Sequence, residues 1–155
     1  MTDASEVPDF APAVNGAVEA AIPVVHGMGV RAVEARRGYA SSMVPVAGNG
    51  NHFGVMYAGV LFTVAEMLGG AIAVASFDGA AFYPLVKDLR IKFTRPATTD
   101  VRAEATLDED TIVRVTREAA EVGKSDFALD ATVTDADGVV VAVTTGLYQL
   151  RAHRK

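Results

Sequence analysis

The stretch from Met56 to Phe77 limits what this chain can fold into more than any other part of it. It is apolar throughout except for Tyr57, a few small polar residues and one charged group, Glu66. As a helix from Tyr57 to Ser76 it would be roughly 30 Å long. A helix apolar on every side has to be buried somewhere. A bilayer is one such place by length alone. An acidic residue at the midpoint of the span would be costly there, Gly59, Gly69 and Gly70 dilute the hydrophobicity, and no Lys or Arg closely flanks either end. The expectation is a helix enclosed by the rest of a soluble domain.

The remaining sequence is suited to enclosing it. A length of 155 residues fits one domain with one core, and a hydrophobic content of 50% argues against disorder. Residues 1–9 read as a flexible acidic tail without a secretory signal, and residues 10–155 as a single domain. The formal net charge of −5 disfavours nucleic acid as a partner. There is no cysteine, so disulfides, Cys-ligated zinc and a Cys nucleophile are excluded and a cytoplasmic home is expected. His26, His52 and His153 lack metal-ligand spacing with carboxylates, so no metal is expected.

Ala11 to Ala21 reads as a short helix stopped near Pro23. Met28 to Ala35 and Tyr39 to Val46 read as strands joined by a turn at Arg36-Arg37-Gly38, and Ala47 to Gly54 as loop. From Leu85 to Arg95 the pattern alternates, with Leu89, Ile91 and Phe93 on one face and Asp88, Arg90, Lys92 and Thr94 on the other. The same parity puts Lys87 on the inward face with Leu85 and Leu89. Val101 to Leu107 alternates likewise. Glu109 to Val122 carries a helical stripe ending at Gly123, with a strand at Ile112 to Val115 as the alternative, and Asp126 to Asp135 with Val139 to Leu150 forms a hairpin about Asp137-Gly138. No βαβ alternation is visible. The predicted fold is α+β, an antiparallel sheet wrapped around a buried helix.

The run Asn51-His52-Phe53-Gly54-Val55-Met56-Tyr57-Ala58-Gly59, with Glu66 seven residues after Gly59, resembles the loop and helix start of hotdog-fold acyl-CoA thioesterases. It looks closest to the phenylacetate-pathway-like group and its DUF4442-type branch. Ile91 to Ala97 resembles the strand of those proteins that ends in Arg-Pro-Ala. Tyr57 stands where the group usually has His, and Val86 where it often has Ser or Thr.

The resemblance implies a hotdog fold, a homodimer or homotetramer with thioester sites at the dimer interface, an acyl thioester such as acyl-CoA as substrate, and no cofactor. It implies Glu66 as general base or nucleophile, Asn51 as the group orienting water or carbonyl, and the backbone N–H groups of Ala58 and Gly59 as an oxyanion hole. Tyr57, Gly54 and Phe62 become candidate substrate contacts. Arg90, Lys92 and Arg95 form a basic row suited to nucleotide phosphates. Two alternatives stand beside hydrolysis: a non-catalytic acyl-thioester or lipid-binding protein, and a dehydratase, which would usually need a catalytic His at the helix start.

Overall fold

The computed structural model describes residues 6–154. The chain runs α1 (Ala11–Ala21), α2 (Pro23–Met28), β1 (Arg31–Arg36), β2 (Tyr39–Val44), α3 (Ala58–Glu66), α4 (Leu68–Ser76), β3 (Phe82–Phe93), β4 (Val101–Thr106), α5 (Glu109–Val122), β5 (Lys124–Thr134) and β6 (Val140–Ala152). All strands join one antiparallel sheet in the order β1-β2-β4-β5-β6-β3. The sheet curls around α3 and α4, which between them touch β1 through β5. Val64, Leu68 and Ile72 are sealed in the centre, and full burial of such a side chain stabilises by about 1.5–3 kcal/mol. The stretch 58–76 is long and apolar enough to cross a bilayer, yet most of it lies inside this sheet.

The central helix is broken once. Met67 separates α3 from α4, where a single helix from Tyr57 to Ser76 is expected. Two side chains take carbonyls beside the break: the Ser42 hydroxyl of β2 donates to the Val64 carbonyl at 2.7 Å, and the Tyr148 hydroxyl of β6 donates to the Glu66 carbonyl at 3.2 Å. The Glu66 carbonyl would otherwise accept the Gly70 N–H, and a side chain inserted into the helical ladder opens it locally. The Tyr148 ring lies directly against Gly69 and Gly146, where a Cβ would overlap it. Gly69 is thus a packing glycine. Gly70 has nothing within 4 Å of the place its Cβ would occupy.

Three expectations are corrected in and around the strands. The segment before β1 is helical, so that strand begins at Arg31 rather than Met28. Pro23 does not merely stop α1; it starts α2, at the helix position where its missing N–H costs nothing. Lys87 does not face inward. It sits at a bulge between Val86, paired with Tyr148, and Asp88, paired with Leu147, and its Nζ meets the Asp126 carboxylate at 2.8 Å. The extra residue reverses the parity, so Leu85 and Lys87 share one face while Leu89, Ile91 and Phe93 line the other. By contrast α5 has the expected bounds, with Gly123 left-handed at φ 87° as its cap.

The N-terminal helix is fastened to the sheet. Residues 1–5 of the expected tail lie outside the described residues. Asp9 accepts the N–H groups of Ala11 and Ala35, both at 3.0 Å. The Asn15 side chain donates to the Ala32 carbonyl at 2.9 Å and accepts the Ala32 N–H at 2.8 Å. It occupies a ladder position at a point where the β1–β2 register shifts.

Candidate active site

The two stretches that carry the thioesterase resemblance meet in space. Asn51 opens a tight loop closed by its N–H to the Val55 carbonyl at 2.7 Å, and the Met56 N–H donates to the Ala97 carbonyl at 2.8 Å. This sets the start of α3 against the segment from Phe93 to Ala97. Gly54 serves the loop with φ 78°. The Asn51 Oδ1 accepts the Phe53 and Val55 N–H groups at 2.9 and 3.3 Å, so this oxygen holds the turn, while the amide nitrogen makes no hydrogen bond among the described residues.

At the helix start, Tyr57 has extended backbone and provides no side-chain cap. Its carbonyl takes the N–H groups of Val60 and Leu61. Those of Ala58 and Gly59 have no intrahelical partner, as the first turn of any helix requires, and the positive end of the helix dipole lies there. Ala58 lines a cavity of about 350 Å³ with Asn51, Met56, Phe93 and Arg95. The Tyr57 ring is 57% exposed and folds back over Gly59, close enough that a Cβ there would strike it.

Glu66 lies at the other end of α3, eight residues and about 12 Å along the axis from Ala58. It lines a separate cavity of about 480 Å³ between α1, α2 and α4. Its carboxylate makes no hydrogen bond among the described residues, and burial in these apolar surroundings raises its pKa above the ordinary carboxylate value. The phenol of Tyr148 is pushed upward, first by burial and then by the nearby Glu66 charge, and stays protonated at neutral pH.

One chain therefore carries two cavities that share no lining residue: one at the helix start with Asn51 and Arg95, and an apolar one bordered by Glu66. Of the other predicted contacts, Phe62 is half-buried and lines neither cavity. Arg90 and Lys92 project from the exposed face of β3 and are in none of the described ion pairs. Of the basic row, Arg95 lines one of these two cavities and Arg90 and Lys92 line neither. His52 is exposed, its ring against Phe53. No cluster of three or more His, Asp or Glu side chains among the described residues could hold a metal.

Two participants escaped the sequence reading. Tyr148 was hidden among the inward residues of β6, though a glycine two positions before it, Gly146, marks a large ring needing room. The other is the wall built by α1 and α2, whose signal is the recurrence of Val14, Ala17, Val18, Ala21 and Val25 at helical spacing.

A family model described as a domain of unknown function, DUF4442, matches residues 12–148. A crystal structure from Pseudomonas aeruginosa, protein PA5026, described as of unknown function and a probable thioesterase, is 46% identical. It superposes with a TM-score of 0.85 over 92% of this chain and 95% of the other. The protein OLEI01261 of Chlorobaculum tepidum, of unknown function, superposes at 0.82 with 15% identity over 93% and 95% of the two chains. Thioesterase HI1161 of Haemophilus influenzae superposes at 0.71 with 15% identity over 92% and 90%; at such identities the likeness is one of fold. Among curated proteins, none matches this chain. The fold is the hotdog fold.

Proposed function

The chain belongs to the DUF4442 family, and from that premise we propose that it is an acyl-CoA thioesterase whose active site forms between two copies. The observation that carries this reading is Glu66: the one charged group on the central helix, without a hydrogen-bond partner among the described residues, bordering an apolar cavity where burial raises its pKa above the ordinary carboxylate value. Because Glu66 and Ala58 lie about 12 Å apart on one helix, a single thioester carbonyl cannot meet both within one chain. A two-fold pair would set Glu66 of one copy against the Ala58 helix start of the other, since a two-fold contact exchanges the same surfaces reciprocally.

In that site Glu66 takes a proton from water as the water oxygen bonds to the thioester carbon. The carbonyl oxygen becomes an oxyanion held by the Ala58 and Gly59 N–H groups. The intermediate collapses with cleavage of the C–S bond, the proton passes from Glu66 to the departing sulfur, and a carboxylic acid and a thiol leave. In this reading the Asn51 amide N–H orients the carbonyl, and Arg95 meets a phosphate of coenzyme A. No cofactor enters the scheme. A cytoplasmic location accords with the lack of cysteine.

The test is hydrolysis of a panel of acyl-CoAs by the wild type and Glu66→Gln. The variant should lose about a hundredfold or more of kcat/KM while its oligomer stays intact. Undiminished turnover by the variant would rule out the role. Ligand binding without turnover in the wild type would favour the non-catalytic alternative.

A further inference from the structure

Resting on the thioesterase reading, we propose that the cavity between the N-terminal helices and α4 holds the acyl tail, and that it selects unbranched aliphatic chains of about ten carbons over short or aromatic ones. Glu66 and Met67 stand at one end and Val74 at the other, eight residues along the helix from Glu66, a length of about 12 Å that an extended chain of roughly ten carbons would span. The opposite wall is Val14, Ala17, Val18, Ala21 and Ile22 of the N-terminal helices and their junction. Apart from Glu66, every lining residue is apolar and none is aromatic. The rim exposes large apolar side chains, Ile22 at 45% and Val74 at 43%, which favours an apolar occupant.

The floor explains an oddity of the sequence. Two adjacent glycines weaken a helix, yet only Gly69 is required by packing, under the Tyr148 ring. Gly70 is exposed, borders the cavity and meets nothing. Any side chain there would narrow the channel one turn beyond Glu66. The wall is also preformed, because Asn15 and Asp9 fasten α1 to β1. The carboxylate marks the reacting end, so the tail runs from Glu66 toward Val74.

Gly70→Phe should fill the cavity from a position where a Cβ meets nothing within 4 Å, and the exposed Ala17→Phe does the same from the opposite wall. The probe is a series of non-hydrolysable S-alkyl-CoA thioethers from ethyl to hexadecyl, measured by calorimetry, with kcat/KM for the matching acyl-CoAs. Wild-type affinity should rise about three- to fourfold per methylene up to roughly ten carbons and then level off. Either variant should abolish most of that rise and leave the shortest ligand bound within about twofold. Affinity independent of chain length, or unchanged length dependence in both variants, would overturn the assignment. So would an altered oligomeric state in Ala17→Phe with length dependence intact, which would give the groove to a subunit contact. Chain-length-dependent binding without hydrolysis of any acyl-CoA would support the tail site and sink the thioesterase reading, so the two failures are distinct.

Discussion

Glu66 is a costly residue where it stands, and its cost can be measured. Burial raises its folded-state pKa above the unfolded value, so the native protein binds the proton more tightly. Stability from this group is greatest below the ordinary carboxylate pKa and falls as pH rises through the raised one. Glu66→Gln should therefore raise the melting temperature at neutral pH and change it little in acid; thermal melts across pH check the sign. The same shift predicts that kcat/KM climbs with pH to a midpoint above the usual carboxylate range, because the base must be ionised. The neighbouring glycines supply a paired prediction. Gly69→Ala forces a methyl into the Tyr148 ring and should destabilise by about 1–3 kcal/mol. Gly70→Ala adds helix propensity in open space and should stabilise by about 0.5–1 kcal/mol. Denaturant unfolding of both variants should give opposite signs.

At the scale of elements, what the sequence disclosed depended on whether a pattern stays in phase. The stripe of α5 and its closing Gly123 are local signals, and the helix has the expected bounds. The parity of β3 fails because a bulge at Lys87 depends on the pairing partner β6, which no local pattern contains. The break at Met67 likewise lies beside hydrogen bonds from Ser42 and Tyr148, both outside the central helix. The register of Asn51, Ala58, Gly59 and Glu66 was legible, but that Asn51 spends its oxygen on a turn and that Glu66 opens on the α1–α2 wall needed the fold. The tether of α1 is testable. Asn15→Ala strips Ala32 of both partners and should cost about 1–2 kcal/mol, read as a lowered denaturation midpoint, with faster hydrogen exchange confined to α1.

For the whole molecule the open question is assembly. The edge strand β3 is unpaired on its outer side and exposes Leu85, Val86 and Phe93, and Ala58 and Glu66 line separate cavities. The proposed interfacial site separates two roles genetically. Ala58→Pro removes the N–H yet suits the first helical position, and Tyr57 at φ −62° and ψ 137° already has the backbone a residue before proline requires. Alone it should lose about a hundredfold or more of kcat, as should Glu66→Gln. In a dimer mixing the two variants, one of the two sites pairs an intact Glu66 with an intact Ala58. The decisive measurement is thioester hydrolysis by the two inactive variants co-expressed in equal amounts. Recovery of about a quarter of wild-type activity, as random pairing of reciprocal sites predicts, would support the composite site; a mixture as inactive as either variant alone, from subunits shown to have paired, would contradict it.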